Sequence, residues 1–499
     1  MKKQSFILSI FIFILSTAVS AQEVSDLPMH SCRRGTFPPD RVLRRAANSQ
    51  DKGPGGNYFV GEKHQLVVLT EFADNPFLGD SAATIAKWDT ILNAVQYNQP
   101  PFKGSFHDYF YDQSYGQFNL VCDLQYVVVD SCRRYRSTMT DDENSQYLIQ
   151  DVVEILKQRD IQWALYDWNG DSYVNQVVII YAGQGSAYGH MGPSYDAIWP
   201  HQYWLSWHLK DRQQGVYCDP DTVLYQGVDF IVDSYCAVPE LTNDSTYGTF
   251  GTLCHEYTHC FGFPDFYFSG KVIGYWDLMD SGNYCGGGFR PIGYSAHERM
   301  LMGWLTPTVL TQPATVTDMP ALVDAPQAYI IRNDAYPNEF FMLENRQKKG
   351  WDTELPGAGL TVFHIDYDPE MWITGLDNTR HYVLFAANNQ ISISGCSGWA
   401  YPYVLNDSIV NNALTDTSKP AAVLWHANTS GEKLMSKPVT DIALNDGLAS
   451  FKFMTSPTEL NDVPRDESQC TKIMRNGQLY LMYNGTMYNV QGQAVRRIP

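Results

Sequence analysis

The run from Leu253 to Asp265 places two imidazoles, a carboxylate and a further candidate ligand in one short segment. His255 and His259 are four residues apart, so on an α-helix they lie one turn above each other and can hold one metal ion between them. Leu253, Tyr257 and Phe261 recur at helical spacing, and the segment is predicted to be a helix with an apolar stripe. Glu256 falls about 100° further round. That offset suits a carboxylate that reaches the metal's water rather than the metal. Gly262 permits a left-handed helix end and Pro264 cannot continue the helix, which leaves the chain free to turn Asp265 back toward the ion. Two His and one Asp leave a fourth tetrahedral position open, as a catalytic zinc site requires and a closed structural site does not. The bare His-Glu-x-x-His spacing also arises on helices whose histidines are ordinary surface or core residues. The glycine and aspartate at their offsets favour the metal.

The segment Tyr275 to Gly282 follows closely and sets Met279 among turn-forming residues, as expected of an apolar floor beneath a zinc ion. Taken alone, Met279 would read as core filler. The remaining need of such a site is a group to stabilise the oxyanion. Tyr284, Tyr294 and His297 are the candidates, and spacing does not choose among them.

A chain of 499 residues with 44% apolar content is long enough for two or more folded units. A net charge of −19 opposes nucleic acid or an anionic membrane surface as partner. Lys2 and Lys3 precede the apolar run Phe6 to Leu15, and small residues at Val19-Ser20-Ala21 suit cleavage before Gln22, so residues 1–21 read as a signal peptide. No later segment approaches the roughly 20 apolar residues of a membrane span. The mature chain is therefore expected to be soluble, and secreted or held at the cell surface after a periplasmic stage. Export permits disulfides. Cys122 with Cys132, and Cys218 with Cys236, are the local pairings that the ten cysteines suggest, while Cys254 and Cys260 read as packing residues or disulfide partners rather than ligands.

Residues 22–58 are polar and rich in Gly and Pro and read as a leader or pro-segment. Cys32 there is a candidate thiolate cap for the zinc. Strands are predicted at Leu66 to Thr70, from Phe118, and at Val177 to Tyr181, and helices at Ser81 to Tyr97, Gly104 to Ser114 and Ser145 to Lys157. This alternation points to an α/β catalytic domain over residues 59–307. Asp167, Asn169 and Asp171 carry oxygen ligands at alternate positions around Gly170 and resemble the opening of a calcium loop, though no distant Glu completes an EF-hand. An Asx-rich turn is the other reading. His201, beside Trp199, is either cleft-lining or structural. Beyond Pro307 short apolar runs broken by turns predict an antiparallel β-rich, sandwich-like domain over 308–455, in which Trp351, Trp372 and Trp399 read as core. A polar linker at 456–470 leads to a small hairpin module at 471–499.

His255 to Asp265, followed by Trp276 to Gly282, Gly293 to Ala296 and Leu301 to Trp304, resembles the immune inhibitor A-like family of secreted bacterial zinc metalloendopeptidases. The likeness reaches upstream to Leu66 to Leu69, Phe72 to Asp74, Ser114 to Gly116 and the Asp167 loop, and downstream to Leu343 to Gln347 and Gly357 to Leu360. It implies an α+β chain: a zincin-like α/β catalytic domain with an active-site helix, then the β-rich domain and a short C-terminal β module. It also implies zinc ligation by His255, His259 and Asp265, general-base action by Glu256, and protein or peptide substrates. The tail from Thr471 resembles C-terminal modules that engage a secretion machinery, but it is shorter than a full sorting domain. Two rival functions remain open at this point: a zinc hydrolase of a non-peptide bond, and a surface adhesin or glycan-binding protein on a metallopeptidase-like scaffold. An intact Glu256 argues against the second, since a scaffold needs no base beside its metal.

Overall fold

The computed structural model describes residues 59–136, 144–188, 197–205, 209–211, 216–217, 221–242, 246–267, 273–368, 382–455, 470–475, 478–483, 486–488 and 494–497. The expectations for the signal peptide, Cys32, Cys218, Trp372 and most of the linker fall outside these residues.

The first part of the chain runs through β1 (Gly61–Phe72), α1 (Ser81–Asn93), α2 (Phe106–Gln113), β2 (Phe118–Val129), α3 (Ser145–Leu156), β3 (Val177–Gln184), β4 (His201–Trp204), β5 (Ser234–Leu241), α4 (Phe250–Cys260) and α5 (Ala296–Leu301). The five strands form one sheet in the order β2-β1-β3-β5-β4. Pairing is parallel except at the edge, where β4 runs antiparallel to β5. A buried parallel strand has no solvated face, and Leu66 to Leu69 and Val177 to Tyr181 are accordingly fully enclosed. The predicted helices form, with α1 ending at Asn93, short of Tyr97. At the start of α2 the Ser105 hydroxyl accepts the Asp108 N–H at 3.0 Å and the Asp108 carboxylate accepts the Ser105 N–H at 3.1 Å, a reciprocal cap that fixes where the helix begins.

Downstream lie β6 (Thr308–Val309), β7 (Ala314–Met319), β8 (Tyr329–Asn333), β9 (Tyr336–Arg346), β10 (Gly359–Asp366), β11 (Tyr382–Leu384), β12 (Val439–Asn445) and β13 (Leu448–Phe453). They make a five-stranded sheet, β6-β8-β9-β10-β11, and a three-stranded sheet, β7-β13-β12. Alternate residues of the larger sheet go to different cores. Phe341, Leu343 and Val362 join Phe451 and Phe453 between the two sheets, whereas Phe340, Met342, Phe363 and Ile365 join the core of the preceding α/β part. The chain is thus an α+β catalytic domain followed by a sandwich-like β region that packs against it. Trp351 and Trp399 are core residues. The described tail strands form a four-stranded antiparallel meander.

The cysteine pairings change. Cys122 and Cys132 are both buried and are not bonded to each other, and Cys236 is a free, buried thiol. Cys122 lies inside β2, which stays in register with β1 as far as Val129. Seven extended residues carry the chain roughly 23 Å, and a disulfide needs Cα atoms within about 7 Å. A strand between two cysteines holds them apart.

Candidate metal centre

The helix α4 is placed by its apolar side. Tyr257 packs edge-on against Phe106 and Phe110, and Phe261 against Phe110, with ring centroids 5.0, 5.3 and 5.6 Å apart. Full burial of each such side chain contributes about 1.5–3 kcal/mol. The Tyr257 hydroxyl donates to Gln65 Oε1 at 2.8 Å, which ties the helix to β1. At the N-terminal end, a Cβ on Gly251 would meet the Asn283 carbonyl oxygen at 1.9 Å. Only glycine lets α4 approach the segment after Met279 so closely. The helix ends at Cys260, and Gly262 two residues on has a φ of +97°, in the left-handed region that glycine adopts freely.

On the other side of α4, His255, His259 and Asp265 bring one ligand atom each within 4.8 Å of one another. All three are buried. His255 Nδ1 donates to the Leu278 carbonyl at 2.9 Å, and His259 Nδ1 donates to the Phe263 carbonyl at 2.7 Å. A carbonyl only accepts, so in each neutral ring Nε2 keeps its lone pair. Those two nitrogens stand 3.1 and 3.2 Å from Asp265 Oδ1. Even so, neither Asp265 oxygen nor His259 Nε2 is engaged in a directed hydrogen bond. Three electron-pair donors facing each other out of water need a cation between them, and two imidazoles with a carboxylate are the donor set of a catalytic zinc. Without a metal, burial drives the His255 pKa down, but the Asp265 carboxylate outweighs it and raises the pKa to about 9. Asp265 is likewise held well below the usual carboxylate range: burial would raise it, and the His259 and His255 imidazoles prevail. The residues fit one ion.

Glu256 is buried one position along the helix from His255. Met279 is fully enclosed, and its turn does more than fill space. Asp277 accepts the Met279 N–H at 2.8 Å. The Leu278 carbonyl then orients His255, and the Met279 carbonyl accepts the N–H of Phe266, next to Asp265, at 2.9 Å. One turn therefore aims two of the three ligands. Burial pushes the Asp277 carboxyl up to about 7, and Tyr382 of the β region donates to it at 3.0 Å.

Two of the three oxyanion candidates are engaged in buried contacts of their own. The Tyr294 hydroxyl is fully buried and paired with Thr258 Oγ1 at 2.5 Å. Thr258 lies about 200° round α4 from Glu256. His297 is enclosed against Phe340, Tyr367 and Tyr382, where burial lowers its pKa to about 3. Tyr284 is half-buried in the helical turn after Met279. Tyr188, which spacing did not single out, does reach α4, with its hydroxyl 2.5 Å from Thr252 Oγ1. His201 bonds Trp199 O at 2.6 Å and the Tyr235 hydroxyl at 3.1 Å, the structural one of its two readings. The Asp167 carboxylate accepts the N–H groups of Gly170, Asp171 and Ser172. This is an Asx-type turn, and among the described residues the His255 group is the metal-capable cluster found.

A mostly parallel sheet thus carries, on its helix and the turn that follows, a buried two-imidazole, one-carboxylate group able to hold a metal ion. Residues 60–302 match the family described as Immune inhibitor A peptidase M6, catalytic domain. Over 152 residues it is 30% identical to Immune inhibitor A of Bacillus thuringiensis subsp. alesti, a match spanning 28% of this chain and 21% of that protein. The chain thus aligns with about a fifth of its relative's length.

Proposed function

We propose that the chain is a zinc-dependent endopeptidase that hydrolyses peptide bonds in proteins, with His255, His259 and Asp265 as ligands and Glu256 as general base. The observation that carries this reading is the convergence of the three ligand atoms within 4.8 Å on the helix that bears Glu256. Zinc held there would supply a Lewis acid for the scissile carbonyl and would lower the pKa of the attacking water to about 7. Glu256 takes the proton from that water and returns it to the leaving amine. Leu278 O and Phe263 O keep the two imidazoles in the tautomer that presents Nε2. Burial of the whole group excludes competing solvent and strengthens each electrostatic contact.

Within this reading residues 59–307 form the catalytic unit, 308–455 the β-rich unit and 471–499 a terminal module. The family match favours action outside the cell, and no helix among the described residues is long and apolar enough to cross a membrane. The Asp167 loop closes on its own backbone N–H groups, so the proposal assigns it no calcium. Zinc content and cleavage of a denatured protein substrate, measured on wild type and Glu256→Gln, test the mechanism. The variant is expected to keep one zinc and lose cleavage. Retained cleavage would show that the base is elsewhere, and absence of zinc from the wild type would remove the site.

A further inference from the structure

We propose that Tyr188, held by Thr252, forms the wall of the subsite that receives the substrate residue immediately after the cleaved bond. This rests on the peptidase reading above and adds a residue that sets its specificity.

The argument starts from the order of side chains along α4. At about 100° and 1.5 Å per residue, Thr252, His255, Glu256 and His259 all fall within roughly 100° of arc, so they share one face. The ligands occupy the C-terminal part of that row, and Thr252 lies about 6 Å before Glu256 along the axis. Helical side chains lean toward the N-terminus. The Glu256 carboxylate therefore leans away from His259 and over the turn that carries Thr252.

The chemistry then orients the substrate. The base must reach the attacking water at the metal and later the leaving nitrogen, so that nitrogen lies on the Glu256 side of the ion. The first residue of the leaving fragment follows the nitrogen, and it passes the next group beyond Glu256 in the row. That group is Thr252, and Tyr188 stands on it. Thr252 is buried and Tyr188 half-buried, so the phenol ring overlies the helix face. Its backbone is anchored as well: β3 ends at Gln184, and the Tyr188 N–H donates to the Gly185 carbonyl at 3.1 Å. A ring pinned at the strand end and at its hydroxyl is a fixed wall.

A fixed aromatic wall limits the volume of the side chain that fits beside it, and such pockets discriminate by about 10- to 200-fold per methylene. The test is to profile kcat/KM on a peptide series varied only at the residue after the cleaved bond, from Ala through Leu to Phe, and on a second series varied only at the residue before it. Tyr188→Ala is expected to raise the Phe-to-Ala ratio in the first series by about 10-fold or more and to leave the second series unchanged. Tyr188→Phe keeps the wall and should retain the wild-type size limit. Thr252→Val removes the Thr252 contact to the hydroxyl and should relax the limit in part, so it serves as the second probe if Tyr188→Ala does not fold. A first-series ratio within twofold of wild type in a cleaving Tyr188→Ala or Thr252→Val variant, or a change confined to the second series, would overturn the assignment. A wild-type chain that binds zinc but cleaves no peptide would instead refute the peptidase reading itself.

Discussion

Arg346 is the residue through which the β region braces the metal centre, and removing it has a cost that the geometry sets. Its guanidinium is fully enclosed. Nε and Nη2 reach the two oxygens of Asp352 at 2.7 and 2.8 Å, a bidentate fork, and Nη1 reaches Glu344 Oε1 at 3.1 Å. The same group donates to the Gly293 carbonyl at 3.1 Å and the Trp276 carbonyl at 3.5 Å. Trp276 stands at the start of the Met279 turn and Gly293 just before α5, so one side chain on β9 fixes both ends of the floor segment. Arg346→Ala would strand two buried carboxylates. Breaking a buried pair from one side typically costs about 3–5 kcal/mol. The lower half of that range is expected, since Gly293 N still reaches Asp352 and Ala296 N still reaches Glu344, and burial already raises the Glu344 pKa and eases its protonation. Arg346→Lys keeps the charge without the fork and should cost about 1.5–3 kcal/mol. Urea unfolding followed by tryptophan emission, with the slope checked for constancy, reads both values. The alanine variant should also lose peptidase rate out of proportion to zinc content. A cost below about 1 kcal/mol for Arg346→Ala with normal activity would refute the bracing argument.

Gly251→Ala puts a methyl where the Asn283 carbonyl lies, so α4 must shift; peptidase activity is expected to fall at least tenfold with all ligands intact, and an unchanged rate would mean the seam is compliant. His297 has a folded pKa of about 3 against 6.5 unfolded, so the unfolded chain binds the extra proton between these values and stability falls with acidification across that window. Between pH 7 and 5 the wild type should lose roughly 2 kcal/mol more than His297→Leu, read from urea midpoints at the two pH values. Equal losses would show that His297 is not buried neutral. Peptide mapping of the unreduced, denatured protein should find no disulfide between Cys122 and Cys132, and a linked pair would contradict the continuous strand between them.

The metal helix was legible because everything it needs is local: a 3.6-residue period, two imidazoles one turn apart, and a glycine that stops the helix. Asp265 was legible for the same reason, being five residues past the helix. The strands were legible from unbroken apolar runs, since both faces of a parallel sheet are covered. What stayed hidden depends on partners far along the chain. Tyr294 and His297 looked suitable by residue type, but Trp304 stacks on Tyr294 and the aromatic residues of the β region close over His297. Asp277 carried a readable signal, an aspartate two residues before Met279 in a turn. Tyr188 carried none, because only the folded sheet brings the end of β3 to Thr252. The Cys122–Cys132 pairing misled because nearness in sequence was taken for nearness in space, and an extended strand makes the two opposite.

The placement of the centre between two sheets follows from what each part can supply. The parallel sheet gives α4 a buried, largely apolar seat with a polar tie from Gln65 to Tyr257, but it is not the source of the polar groups that orient His255 and Asp265. Those come from the Met279 turn, whose aspartate is buried and would be costly if left unpaired. The β region meets that need from the other side, with Tyr382 donating to Asp277 and to Ser295 at 3.0 and 2.9 Å and Arg346 holding the flanking carbonyls. A catalytic unit cut after Pro307 would keep every ligand and lose every one of these braces. The β-rich part is therefore a structural component of the metal centre, whatever else its outer surface does.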